Sequence, residues 1–193
     1  MIVKGTKQLG NFRRGINLYV PKRGRPITTY ANGLYGKRYV GDFEGAGSFL
    51  GNVNWFNTAT LHGDVNQLTS IDDFTSAAEA YSWQWLGYFK ASSTENYSFY
   101  TISDDGSYLW IGDNALAGFT AANANINNGG GHSETRVNSS PVSLVAGTYY
   151  PIRVQYGEGG GGDIMSLGFS TPTITETRNG LGYYYYNSNT NGF

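Results

Sequence analysis

Cysteine is absent from this chain, which rules out disulfides, thiolate chemistry and any metal site that needs a sulfur ligand. The absence does not fix the compartment, because an extracellular domain can be built without bridges. Charge is scarce as well: charged residues make up 14% of the chain, aromatics reach 16%, and the 16 tyrosines outnumber any single charged type. No apolar run approaches the roughly 18 residues of a membrane-spanning helix. Acidic side chains are missing altogether before Asp42, whereas nine of the 13 basic ones precede it and all 14 acidic ones lie at or beyond it. What remains is a glycine- and aromatic-rich composition, 28 Gly in 193 residues, that suits an all-β protein with many turns and one core.

The charge split divides the chain. Residues 1–32 read as a basic arm, in which Arg13, Arg14, Tyr19, Lys22 and Arg23 are candidate assembly contacts. Ile16 to Val20 has the β-prone character of a strand that adds to a neighbour, and Pro21 ends it. The arm's basic residues are scattered and its aromatics form no stacking platform, so no nucleic acid is expected. Met1 to Gly5 carries no apolar stretch of the secretory kind, which points to assembly in a cytoplasm. Residues 33–172 have the texture of a packed domain. Residues 173–193 form a polar tail interrupted by Tyr183–Tyr186, whose Tyr184 and Tyr185 are expected to make a second assembly contact.

Within the domain, alternating segments predict strands at Gly33–Tyr39, Trp83–Lys90, Asn96–Ser103, Ser107–Ile111, Gly147–Tyr156 and Ile164–Ser170. Pro151 should lie at the start of its strand or on an edge. Ser70 to Ala80 predicts one short helix or an irregular stretch, with Asp72 and Asp73 as its cap. Ala121 to Ser140 reads as a long surface loop. Short strands at this spacing predict an antiparallel sandwich or barrel.

The chemistry centres on Asp104 and Asp105, adjacent carboxylates at the turn between two strands. They fit a polar Asp-Gly hairpin turn or a cation site, and sequence spacing alone leaves both open. Glu158 lies in the glycine-rich stretch Gly157–Asp163, whose Gly160 and Gly162 offer carbonyls clear of side chains. His62 and His132 have no metal-ligand spacing and read as surface loop residues. No Ser-His-Asp set, P-loop or dinucleotide fingerprint is present, and Gly159–Gly162 lacks the Lys-Ser/Thr and helix of a phosphate cradle. A glycosidase would need two carboxylates across a cleft, and nothing in the sequence positions Glu158 and Asp105 in that way. A non-enzymatic protein is expected.

Trp85 to Phe89, then Tyr97 to Ile111, then Ala146 to Tyr156 resemble, in this order, the PA14 family. The last segment is especially similar to its GLEYA/flocculin-type adhesin branch, and Gly33 to Tyr39 is similar to the first strand of that family. The resemblance covers about residues 33–170. It implies a PA14-like antiparallel β-sandwich and a Ca2+ site that binds sugar hydroxyls. Two adjacent Asp residues joined by a cis peptide match Asp104 and Asp105. The family's third ligand region matches Gly157 to Gly162, where this chain has Glu158 in place of an Asn and lacks an aromatic. The resemblance thus implies metal ligands among Asp104, Asp105, Glu158, Gly160 and Gly162, with Trp110 or Tyr156 stacking on the sugar.

An adhesin-like fold without a secretory leader leads to the expectation of a bacteriophage virion protein: tail, baseplate, fibre or capsid surface. Its arm and tail would bind other virion proteins, in many copies, and its sandwich would meet a host glycan. A purely structural virion module is the first alternative. A carbohydrate-binding module of a cell-surface adhesin or glycosidase, placed outside the cell, is the second.

Overall fold

The computed structural model describes residues 30–44, 51–76, 78–178, 182–186 and 192–193. Arg13, Arg14, Tyr19, Lys22 and Arg23, with the strand expected at Ile16–Val20, lie outside them. In chain order the elements are β1 (Tyr30–Asn32), β2 (Leu34–Val40), β3 (Leu61–Leu68), β4 (Tyr81–Lys90), β5 (Glu95–Asp104), β6 (Ser107–Ile111) and the one-turn α1 (Asp113–Leu116). There follow β7 (Ile126–Asn128), β8 (Thr135–Asn138), β9 (Val142–Leu144), β10 (Tyr149–Glu158), β11 (Ile164–Ser170) and β12 (Tyr183–Tyr186). Short 3-10 turns occur at Trp55–Asn57 and Ala121–Asn123. Among the described residues, no helix is long and apolar enough to cross a membrane.

The strands form the two layers of an antiparallel β-sandwich. The larger sheet runs β1-β12-β4-β10-β6-β7, with β2 on the same edge of β4 as β12 and with β3 outside β2. The smaller has β5 between β11 and the pair β8 and β9. Alternation decides which side chains meet between them. Trp83, Trp85 and Phe89 of β4 and Ile152, Val154 and Tyr156 of β10 point inward onto Tyr97 and Phe99 of β5 and Met165, Leu167 and Phe169 of β11. Phe89 is the hub, edge-on to Tyr97, Phe99 and Phe169 with ring centroids 5.0–5.4 Å apart.

The opposite face of the larger sheet is also covered. Phe43, Val53 and Phe56 pack there on Tyr39, Tyr108, Trp110, Ala115 and Phe119. Among the residues of β4 and β10 that point this way, Gln84, Arg153 and Gln155 are polar yet buried.

Of the two readings of 70–80 the irregular one holds: no helix forms among its described residues, because tertiary contacts flatten the segment. Leu167 N–H donates to Ile71, Phe74 bridges Met165, and the Phe74 ring stands edge-on to Trp83 and Trp85. Asp73 therefore caps nothing helical, and it accepts from Ser166 Oγ instead. The stretch Ala121–Ser140 is not one loop, since it contributes β7 and β8. His62 lies on β3, not in a loop, with Nδ1 3.0 Å from Asp64 Oδ2. Part of the tail belongs to the fold: β12 pairs with β1 and β4, so the sheet reaches beyond 33–172 at both ends. Tyr183 and Tyr185 are buried while Tyr184 and Tyr186 are half-buried, the period of a strand with one covered face. Pro151 stands where β10 has β4 on one side but precedes its pairing with β6, so no ladder bond is lost.

Tyr183 sits in the core at 3% exposure, and its hydroxyl has no hydrogen-bond partner. Tyr183→Phe should therefore stabilise the fold by on the order of 1 kcal/mol, and Tyr183→Ala should cost about 3–5 kcal/mol, both read from urea unfolding. An unfolding midpoint left unmoved by Tyr183→Ala would show that β12 is not part of the core.

Candidate functional site

The β5–β6 hairpin and the end of β10 converge at one rim of the sandwich. Behind the rim, a ladder of buried hydroxyls holds the hairpin: Ser103 Oγ and Ser107 Oγ are 2.8 Å apart, and Ser107 donates to Thr101. Asn128 Nδ2 donates to Ser103 Oγ and to the Thr135 carbonyl. At the tip, the peptide bond between Asp104 and Asp105 is cis. The Tyr156 hydroxyl donates to the Asp104 carbonyl at 2.7 Å, and the Gly157 N–H donates to Gly106, so β10 grips the hairpin just before Glu158. Gly106 is required there, because a side chain would run into Glu44 and the Gly130 backbone.

Asp104, Asp105 and Glu158 each offer a carboxylate oxygen, and these atoms lie within 4.8 Å of one another. Both oxygens of Asp105 are oriented by backbone: Oδ1 accepts from His132 N–H at 2.8 Å and Oδ2 from Gly159 N–H at 3.0 Å. Each keeps a second lone pair. Glu158 is 1% exposed, and neither carboxylate oxygen has a hydrogen-bond partner. The Gly160 N–H is near enough to offset part of the charge but meets neither oxygen in hydrogen-bond geometry. Burial, then the negative charges of Asp105 and Asp104, push the Glu158 carboxyl up to about 7. Asp104 is raised by burial and by Asp105. A buried carboxylate without donors is costly, and a hard cation is the partner that a cluster of oxygens fits. The donor set therefore suits Ca2+, with Asp104, Asp105 and Glu158 able to hold it.

The glycine loop passes close to this cluster, and its lack of side chains leaves room there. A side chain at Gly159 would lie 3.1 Å from Asp42 Oδ2 and 3.2 Å from Asp105 Oδ2, and one at Gly162 would lie 3.2 Å from Asp104 Oδ2. Gly162 thus borders the site, and Gly160, whose N–H lies near Glu158, also sits against Glu79 Oε2, to which the Gly161 N–H donates. Two sequence-expected residues are not available to a ligand. Trp110 is fully buried on the outer face of the larger sheet, its indole N–H held by the Thr120 carbonyl and Asn123. Tyr156 is fully buried between the sheets. Neither ring can stack on a sugar.

Sequence reasoning missed Asp42, which follows β2 and adds a further carboxylate beside Asp105. Burial and Asp105 both raise it. Its signal was its position as the first acidic residue of the chain, directly after a strand. Asp163 was also missed. It accepts from the Tyr81 hydroxyl at 2.7 Å and from Ser76 N–H, and so ties the far side of the glycine loop to β4.

Residues 81–171 match the GLEYA domain. That match covers just under half of the chain. Solved structures agree on the fold of the wider unit. The A domain of epithelial adhesin 6 from Candida glabrata, in complex with Galβ1-3GlcNAc, superposes with a TM-score of 0.64 at 19% identity over 86% of this chain and 92% of that one. A PA14 sugar-binding domain from an RTX adhesin gives 0.58 at 12% identity over 76% and 93%. An anti-sigma factor domain-containing protein from Clostridium clariflavum gives 0.61 at 19% identity and covers 86% of this chain. The chain spans about half the length of two such anti-sigma factor domain-containing proteins, 47% and 52%. A sequence comparison with curated proteins gives no match.

The raised Glu158 carboxyl makes stability depend on pH when no cation is bound. Between the ordinary value of 4.5 and about 7 the folded domain holds a proton that the unfolded chain has released. The contribution is therefore complete below the unfolded value and is lost as pH rises through the folded one. In EDTA, Tm should fall from about pH 5 to about pH 7.5, and Glu158→Gln should flatten the upper part of that fall. A wild-type curve no steeper than that of Glu158→Gln near pH 7 would contradict the assignment.

Proposed function

We propose that this domain is a calcium-dependent carbohydrate-binding module of an adhesin-type surface protein and performs no covalent chemistry. The observation that carries the reading is the buried Glu158 carboxylate, both oxygens unpartnered, facing the Asp104–Asp105 tip. Ca2+ takes six to eight oxygens, about twice what three carboxylates give singly, so positions remain for water or for the vicinal hydroxyls of a sugar. When bound, the ion would supply the electrostatic pull on those hydroxyls. The protein's part is to hold three carboxylates on one side, orient Asp105 through two backbone N–H groups, and keep the approach open with Gly159 and Gly162.

The charge of the donor set narrows the ligand. Three carboxylates around a divalent ion leave one negative charge, and Asp42 adds another nearby. An acidic saccharide would be repelled there, so neutral sugars are the class the rim favours. The adhesin likeness supports a surface or extracellular setting over the virion expected from the sequence. Tyr183–Tyr186 have a role inside the sheet, which accounts for this aromatic run without an assembly partner.

Calorimetric titration with CaCl2, followed by a glycan array run with and without EDTA, tests the reading. Wild type should bind calcium and then neutral glycans, and EDTA should abolish the second. Asp105→Ala should weaken calcium by more than roughly 100-fold, beyond the about 10–100-fold typical of losing an outer-shell partner, while Tm in EDTA is kept. No calcium heat from wild type, or unchanged calcium binding by Asp105→Ala, would overturn it.

A further inference from the structure

The outer face of the larger sheet holds a second feature that the calcium reading does not use. Arg153 is 7% exposed. Its Nε donates to the Ala115 carbonyl at 2.9 Å and its Nη1 to Gln84 Oε1 at 2.5 Å. Its guanidinium lies 4.0 Å from the centre of the Phe119 ring and 5.6 Å from that of Phe193. No carboxylate of the described residues pairs with it, and Nη2 has no hydrogen-bond partner among them. A cation taken out of water normally has an anion beside it.

Arg153 instead borders a cavity of about 230 Å³ between β2, β4, β10 and the turn at Trp55–Asn57. Lys37 and Gln84 also line it, Tyr35, Tyr39 and Phe56 supply aromatic walls, and no acidic side chain does either. Burial pushes the Arg153 guanidinium down to about 10, the direction expected of a cation without a counter-charge. The cavity is smaller than the roughly 300–1,000 Å³ of clefts for drug-sized ligands, so it suits one small ring. It is also remote from the calcium cluster: Arg153 precedes Glu158 by five residues on β10, roughly 17 Å at strand rise.

We propose that this pocket is a second binding site, for a small carboxylate-bearing ring of the size of one acidic monosaccharide. The carboxylate accepts a charge-assisted hydrogen bond from the unpartnered Nη2 of Arg153, with Lys37 adding positive potential from the lining. The ring lies against the aromatic walls, which offer an apolar face to sugar C–H groups. Such a site takes the charged residue that the acidic rim repels, and it needs no metal.

NMR titration of the intact chain in EDTA with sodium glucuronate, and with glucose as the neutral control, tests the proposal. Glucuronate should shift resonances around Arg153, Lys37 and Gln84 and bind about tenfold or more tighter than glucose. Lys37→Glu, at a half-buried position that leaves the Arg153 contacts in place, should weaken glucuronate about tenfold or more by like-charge repulsion. Arg153→Gln should abolish binding, and where it fails to fold, Lys37→Glu carries the test alone. Asp105→Ala should leave glucuronate binding unchanged, which separates this site from the calcium rim. Equal binding of glucuronate and glucose, no binding of either, or a Lys37→Glu protein that binds as wild type does would overturn the proposal.

Discussion

The ten-residue antiparallel pairing of β4 with β10, from Lys90 opposite Tyr149 to Tyr81 opposite Glu158, is the constraint on which the rest of the structure depends. It places two strands at the centre of the larger sheet, each flanked on both edges, so both faces have to be filled. The inward face is aromatic and aliphatic and makes the sandwich core. The outward face carries Gln84, Arg153 and Gln155, which hydrogen-bond to one another and to the Val53 and Ala115 carbonyls, while Gln155 Oε1 and Arg153 Nη2 are left without partners among the described residues. A slip of one residue in this register would exchange these two sets and bury a guanidinium among tryptophans. The same register carries the Tyr156 hydroxyl to the Asp104 carbonyl and Glu158 to the carboxylate pair. The site at the rim is thus built by the core.

That construction has an electrostatic cost. Asp42, Glu44, Asp104 and Glu158 are all raised by burial, and each also by a carboxylate neighbour. Nothing basic in the described residues forms an ion pair with Asp104, Asp105 or Glu158; the salt bridges lie on Arg38, His62, Arg136 and Arg178, away from the rim. A scaffold under selection for stability alone has no reason to gather acidic groups there and then withhold their partners. Asp42 and Glu44 each accept from one backbone N–H, and Asp105 is the most informative: two backbone N–H groups fix it, and it remains available on its second lone pairs. Orientation without neutralisation is what a cation ligand needs.

The fold was legible because strand alternation is a local signal. Trp83–Lys90 and Gly147–Tyr156 declared their faces by period, and the Asp-Gly between two such runs marked the hairpin. The pair Asp104–Asp105 with Glu158 was legible only through resemblance, since no spacing rule brings residues 54 positions apart into contact. Other features depended on long-range packing that no local window holds. Ser70–Ala80 has helical composition, yet Ile71 and Phe74 are held flat by β11. Tyr183–Tyr186 looked too aromatic for one core, but a strand shows only alternate residues to it, and β4 had an edge to spare. Trp110 and Tyr156 were misread for a related reason: an aromatic near a site in sequence is more often the wall that supports it, and both rings are spent on packing.

The substitution of Glu158 for the Asn of the adhesin branch then acquires a physical meaning. An Asn at the end of β10 would be neutral and tolerable when no ion is present, whereas a buried Glu without donors penalises the empty state. Any cation bound there gains from relieving that penalty, and its binding stabilises the folded domain by mass action. The absence of an aromatic in Gly157–Gly162 works in the opposite sense, since it removes a stacking surface and leaves sugar affinity to the ion. On the proposed reading, the combination would hold the metal harder and the sugar more loosely than a loop that carries Asn and an aromatic. Selectivity then has to come from elsewhere on the module, and the two cations facing the cavity on the outer sheet face, Arg153 and Lys37, are placed to supply a charge preference opposite to that of the rim.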